Sequence, residues 1–120
     1  MQVLTIRHFG RQWYFKHAHG WGQPRSRAIR QACLAHIMPH LGSRGLVSLK
    51  ASHVRRWLKA LLAEQTTITV LFAAYTLRAL LEAAATQKHL SASQWEGLRR
   101  SLAHGTVMAL GKHHSVETDQ

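Results

Sequence analysis

The chain has 120 residues, which suits one domain, and 46% of them are hydrophobic, enough for a buried core. It carries 16 Lys and Arg residues against 5 Asp and Glu, and the formal charge of +11 argues against a merely solubilising surface. The single cysteine, Cys33, excludes an intrachain disulfide and indicates the reducing cytoplasm. So large a positive excess is typical of proteins that bind nucleic acid or an anionic membrane.

The N-terminal stretch fits two structures. Two apolar segments on either side of a glycine predict a β-hairpin over residues 2–18. The same residues fit a helix that starts after Thr5 and places Ile6, Phe9 and Trp13 on one face. Local sequence rules leave both structures open. The stretch has no uninterrupted apolar run and no cleavage site, so we expect no signal peptide.

A second helix is predicted after a loop over residues 18–24, which holds two glycines and a proline. Ser26 can cap this helix, or Pro24 can open it. We expect Pro39 and Gly42 to end it, because proline lacks the N–H that the helix ladder needs.

The second helix also carries the best arrangement for a metal site. Cys33, His36 and His40 fall at positions i, i+3 and i+7, a spacing that can hold a metal ion. Pro39, however, is expected to unwind the turn before His40, and the chain has no Cys-Xaa-Xaa-Cys pair. We therefore expect Cys33 and His36 to be core residues, and we predict no metal and no cofactor.

Residues 52–88 contain two apolar periods, around which we expect the rest of the chain to wrap. The first predicts an amphipathic helix with Val54, Trp57 and Leu61 on its buried face. Its opposite face is basic and carries Arg55, Arg56 and Lys59.

The second period, residues 67–87, is apolar almost all round, so we expect a buried helix. It is long enough to be compared with a membrane span. Arg78 and Glu82 lie one turn apart inside it, and central charges cost about 2.5–3.5 kcal/mol each on insertion scales. We therefore predict a core helix and no membrane partner.

Candidate caps precede both helices: Ser48 or Ser52 before the first, and Thr66 or Thr67 before the second.

The last predicted helix follows a serine-rich break. Ser93 and Glu96 have the spacing of a capping box, and Leu98 and Leu102 fall on one side of the helix that it would start. Gly111 is expected to end this helix.

These elements predict an all-α fold, a compact bundle of four to five helices. A strand is expected only if residues 2–18 form the hairpin. Residues 113–120 are polar and are expected to form a flexible tail.

Six short motifs follow one another along the chain: residues 5–9 (TIRHF), Trp13 with Tyr14, residues 36–42 (HIMPHLG), residues 49–58 (LKASHVRRWL), Thr67 with Ile68, and residues 77–81 (LRALL). Their order and spacing resemble the SAM-like core-binding domain of tyrosine recombinases, the phage integrase family. The resemblance covers residues 5–90 and implies a helix over residues 5–17. It also implies a core-binding-like DNA-binding domain over residues 1–90, with residues 91–112 as an additional C-terminal helix packed on it.

The chain departs from the family pattern in ways that bear on activity. Lys50 and His53 stand where the family usually has Thr and Asp, and no Asn-Pro follows Leu90. Integrases continue into a catalytic domain with a tyrosine nucleophile, whereas no tyrosine follows Tyr75 here. The 5 acidic residues form no catalytic pair either. We therefore expect a binding protein with no catalytic residues, and not an enzyme.

Core-binding domains of this family grip duplex DNA with helices laid across the groove and the phosphates, and the resemblance implies the same here. The residues that we expect to contact nucleic acid are Arg25, Arg27, Arg30, Lys50, His53, Arg55, Arg56, Lys59, Arg99 and Arg100. Contacts of this kind supply affinity and a steep salt dependence, with little sequence information.

The sequence thus predicts a non-catalytic DNA-binding module of the recombinase core-binding type, from a mobile genetic element engaged in DNA recombination and integration. The alternative is a small helical subunit of a nucleoprotein complex, similar to CRISPR small subunits, which contacts RNA or DNA backbone and neighbouring protein subunits. RNA or single strands therefore stay open as partners beside duplex DNA. A protein partner, or a second copy bound through the C-terminal helix, stays open as well.

Overall fold

The backbone is helical along most of its length. The computed structural model describes residues 4–17, 20 and 24–118, with side chains described as far as residue 111. Within these residues there are five α-helices and no strand: α1 (Ile6–His17), α2 (Pro24–Leu41), α3 (Ala51–Glu64), α4 (Thr67–Thr86) and α5 (Ala92–Thr118). The prediction of an all-α bundle is therefore confirmed. The predicted loop over residues 18–24 lies largely outside the described residues.

The N-terminal stretch is a helix, so the alternative hairpin is wrong over the part of residues 2–18 that the structure describes. Thr5 caps α1, because its Oγ1 accepts the backbone N–H of His8 at 3.1 Å. The large buried side chains of α1 are Ile6, Phe9 and Trp13. Burial of this helical face outweighs the local turn signal of the glycine.

α2 ends at Leu41, directly before Gly42, which confirms the predicted end at the glycine, but Pro39 lies inside the helix and does not break it. A proline in the last turn removes only one hydrogen bond of the helix ladder. The backbone N–H of Gly42 donates to the carbonyl of Met38 at 2.9 Å and so closes the helix at its end. α2 buries Cys33, Ile37 and Leu41.

α4 is the central helix of the bundle, and α3 packs against it. α3 buries Val54, Trp57, Leu58 and Leu61, which confirms the predicted face. α4 contacts each of the other four described helices. Its buried residues are Val70, Ala73, Ala74, Thr76, Leu77, Leu80, Leu81 and Ala84. The Thr66 cap is confirmed, since the Thr66 side chain accepts the backbone N–H of Thr69 at 3.3 Å.

α4 is not buried all round, which corrects the sequence prediction. Ile68, Phe72 and Tyr75 are exposed on its outer side, and together they form the apolar stripe of α4. By length and composition alone, α4 is also apolar enough to cross a membrane. The core helix of a bundle meets the same criteria, and the opposite side of α4 is packed against its neighbours.

α5 begins at Ala92, one residue before the predicted cap Ser93. Ser91 is the actual cap, because its Oγ accepts the backbone N–H of Gln94 at 3.1 Å. Glu96 is therefore not part of a capping box and is left to pair with arginines on its own helix.

The C-terminal half of α5 also differs from the prediction. Gly111 does not end the helix, whose backbone reaches Thr118, so most of the predicted tail over residues 113–120 is helical. Residues 119–120 lie outside the described residues. Gly105 is a packing position, because a Cβ there would overlap the side chain of Leu58. The glycine thus allows α5 to approach α3 closely.

Candidate nucleic-acid interface

The loop that follows α2 is held by the start of α1. The backbone N–H of Ile6 donates to the carbonyl of Arg44, and that of Arg7 donates to the carbonyl of Gly42, each at 2.9 Å. Gly42 itself has no room for a side chain, since a Cβ would lie 2.6 Å from the carbonyl oxygen of Met38. These contacts place Arg44 beside the C-terminal end of α2.

The first turn of α3 is capped by a histidine, not by the predicted serines. Lys50 is the N-cap residue, and its backbone N–H donates to Nδ1 of His53 at 3.0 Å. The acceptor must be unprotonated, so the neutral imidazole carries its proton on Nε2. Gln94 of α5 holds the preceding segment, because its Nε2 donates to the carbonyls of Leu46 and Leu49 at 2.8 and 3.0 Å.

Arg44 and the first turn of α3 meet in a small cavity of about 160 Å³. Its lining residues form the basic recess: His40, Leu41, Arg44, His53, Arg56 and Trp57. Buried Leu41 and Trp57 make the apolar floor, and the indole Nε1 of Trp57 donates to the carbonyl of His36 at 3.0 Å. The prediction that Trp57 packs in the core is confirmed.

The basic recess holds positive charge that no acid among the described residues balances. No acidic residue lines it, and neither Arg44 nor Arg56 forms an ion pair with any described residue. Partial burial of the imidazole, followed by the charges of Arg44, Lys50 and Arg56, lowers the pKa of His53 below its ordinary value. The recess is therefore electrostatically suited to an anion, which would favour the protonated imidazole.

The basic face of α3 is divided between two neighbours. Arg55, Arg56 and Lys59 are all exposed, as predicted. The side chain of Arg55 extends to α5, where its Nη1 donates to Oγ of Ser101 at 3.5 Å. The side chain of Arg56 lines the basic recess instead. The outer surface of α3 thus continues from the recess toward α5 as a positive strip.

The predicted arginines of α2 lie far from this surface. Arg25 and Arg27 belong to the first turn of α2, and His40 to its last, so about 20–22 Å of helix separates them at 1.5 Å per residue. Arg30 faces α4, where its Nη1 donates to Oγ1 of Thr76 at 3.2 Å. The structure does not bring these three arginines to the basic recess.

The predicted arginines of α5 are partly neutralised. Arg99 binds Glu96 through Nη2 at 2.7 Å, and Arg100 binds the same carboxylate through Nε at 3.0 Å. The hydrogen bond from Arg99, supported by that from Arg100, holds the pKa of Glu96 below its usual range. One acid thus offsets part of their charge, and both arginines are set apart from the basic recess.

Sequence reasoning missed Arg44 and His40 as parts of the site. Arg44 lies in a loop, where no periodicity marks which side chains converge. The available signal was indirect: Arg44 lies between the HIMPHLG motif and a helix whose first turns are basic. The sequence marks His40 only as a candidate metal ligand.

The metal alternative gains no geometric support. Among the described residues, no group of three His, Cys, Asp or Glu side chains is placed to hold a metal ion. Cys33 is buried, as expected of a core residue, but His36 is only partly buried.

Comparison with known proteins adds no relative. No family model, curated protein or solved structure matches the chain. The relation to recombinase core-binding domains therefore stays a prediction from the motifs, and the functional proposal depends on the geometry of the basic recess.

Proposed function

We propose that the chain is a non-catalytic module that binds duplex DNA mainly through its phosphates, in the manner of recombinase core-binding domains from mobile genetic elements. The basic recess carries this proposal. Arg44 and Arg56 converge there with His40 and His53, and none of the acidic residues that the structure describes lines the cavity. Arginine and phosphate match in charge and in hydrogen-bonding geometry.

The surroundings of the recess extend the contact beyond one phosphate. Lys50 is exposed at the start of α3, where the positive end of the helix dipole also favours an anion. Arg55 and Lys59 continue the positive strip along α3. A DNA strand that places one phosphate in the recess can therefore place its neighbours along this strip. We expect little sequence preference, because such contacts position DNA without reading its bases.

A second candidate function has one specific observation in its favour. The apolar stripe of α4 is exposed, which fits a chain that also contacts a neighbouring protein. This suits the alternative of a small helical subunit in a nucleoprotein complex.

The deciding experiment compares duplex DNA with single-stranded DNA and RNA of equal length, about 20 nucleotides, in titrations between about 50 and 200 mM salt. The proposal predicts tighter binding to the duplex and a linear fall of log affinity with log salt. Equal or tighter binding to single strands would favour the nucleoprotein subunit. Absence of duplex binding at the lowest salt would overturn the DNA-binding proposal.

A further inference from the structure

The apolar stripe of α4 is exposed to an unusual degree for a central helix. Ile68, Phe72 and Tyr75 are 62%, 48% and 61% exposed. Their spacing of i, i+4 and i+7 puts them on one side of the helix, so they form a continuous surface. This is the pattern with which one helix packs against another.

Two residues of the stripe, Phe72 and Tyr75, line one wall of a groove between α2 and α4. The groove has a volume of about 560 Å³, and Ile29 of α2 extends its apolar lining on the opposite wall. Along α4 it extends at least from Phe72 to Glu82. With Ile68 included, this surface is about 21 Å long at 1.5 Å per residue, which is the length of about four helical turns.

The charged residues of the groove are mainly cationic. Arg30 lines the α2 side and Arg78 the α4 side, against one acid, Glu82. Among the described residues, Arg78 and Glu82 do not form the i, i+4 ion pair that their spacing allows. Two more arginines, Arg25 and Arg27, lie on the adjacent first turn of α2.

We propose that this groove docks an amphipathic helix of an acidic protein partner. The partner's apolar side would cover the apolar stripe and Ile29, and carboxylates flanking that side would pair with Arg30 and Arg78. A second copy of this chain is disfavoured, because it would add another charge of +11 and set like arginines against each other. The groove shares no lining residue with the basic recess, so the partner and DNA can bind together.

The test uses two labelled synthetic helices of about 20 residues, each with leucines at i, i+3, i+4 and i+7. One carries glutamates beside the leucines and the other lysines. The proposal predicts binding of the acidic peptide to the full chain, at least about tenfold tighter than that of the basic peptide. The variant Phe72→Ser/Tyr75→Ser should weaken binding of the acidic peptide by at least about tenfold.

A matched control separates the groove from general surface apolarity. Val47→Ser/Val107→Ser also removes two exposed apolar side chains, 74% and 65% exposed, outside the groove, and should leave peptide binding unchanged. Arg78→Glu should reduce or invert the preference for the acidic peptide. Circular dichroism and unfolding midpoints establish that each variant is folded, which is expected because the altered side chains are exposed.

Three results would overturn the proposal. The first is equal affinity for the two peptides, and the second is unchanged binding to Phe72→Ser/Tyr75→Ser. The third has two parts: the acidic peptide does not bind, and the wild type binds phosphatidylglycerol vesicles or a single-stranded oligonucleotide, whereas Phe72→Ser/Tyr75→Ser does not. That result would assign the groove to a membrane or to nucleic acid. All three are independent of duplex binding at the basic recess.

Discussion

His53 accepts the backbone N–H of Lys50 on Nδ1 at 3.0 Å, so the side chain that caps α3 is also a wall of the basic recess. The cap requires a neutral imidazole, whereas a bound phosphate favours a charged one. We therefore expect His53 to couple the stability of α3 to the pH and to the occupancy of the recess.

Free protein should lose stability in mild acid through His53. Its folded pKa lies below the ordinary value of 6.5, so between these values the unfolded chain binds a proton that the folded chain does not. The stabilisation is complete above pH 6.5 and is lost as the pH falls through the folded pKa. Urea unfolding at about pH 7.5 and 5.5 should show this loss.

The control for this loss is His53→Gln, because glutamine at this position can also accept the N-cap N–H but does not titrate. The other histidines are the same in the wild type and the variant, so they contribute equally to the pH dependence of stability in both proteins. The variant should lose less stability on acidification than the wild type. An identical loss in both proteins would contradict the role of His53.

DNA binding should strengthen as the pH falls from about 7.5 to 6, because a phosphate in the recess favours protonated His53. The binding reaction then takes up a proton, and affinity rises with proton concentration. Titrations of a duplex at several pH values should show a smaller rise for His53→Gln than for the wild type. Parallel pH profiles would place the phosphate away from His53.

Removing the two arginines of the recess should reduce the salt dependence of duplex binding. Each phosphate contact contributes about 0.9 to the slope of log affinity against log salt, so Arg44→Gln/Arg56→Gln should lower its magnitude by about 2. The matched control is Arg11→Gln/Arg78→Gln, which makes the same charge change in exposed residues that line other cavities. The same fall in slope for both variants would mean that only net charge matters.

Two glycines of α5 should respond oppositely to alanine. A Cβ at Gly105 would overlap Leu58, so Gly105→Ala should lower the free energy of unfolding by about 1–3 kcal/mol. A Cβ at Gly97 would meet nothing within 4 Å, so Gly97→Ala should raise it by about 0.5–1 kcal/mol through better helix propensity. Chemical denaturation measures both. Equal effects at the two sites would contradict close packing of α5 on α3.

The helices that the sequence predicts well are those with a local, periodic signal. The buried face of α3, with Val54, Trp57 and Leu61, follows from spacing alone. The capping residues are harder to predict, because several polar side chains within a few residues of each helix start could accept the same backbone N–H. Ser91 and His53 cap their helices in place of the predicted serines, a choice that backbone geometry decides.

The basic recess depends on contacts between distant parts of the chain, which local patterns do not contain. Arg44 is placed by α1, and the segment before α3 is held by Gln94 of α5. Composition also cannot tell which side of an apolar helix its neighbours leave uncovered. For this reason the sequence predicted that α4 would be enclosed, whereas the apolar stripe is exposed.

The hydrogen bond from Ile6 to the carbonyl of Arg44 has a consequence for the order of folding. It joins positions separated by both α1 and α2, so closing this loop costs chain entropy that local helix formation does not. We therefore expect the basic recess to be completed only when α1 docks on the loop that follows α2, a later step than the formation of the individual helices. A nascent or partly unfolded chain would lack the complete site, and duplex DNA would stabilise the finished fold by mass action.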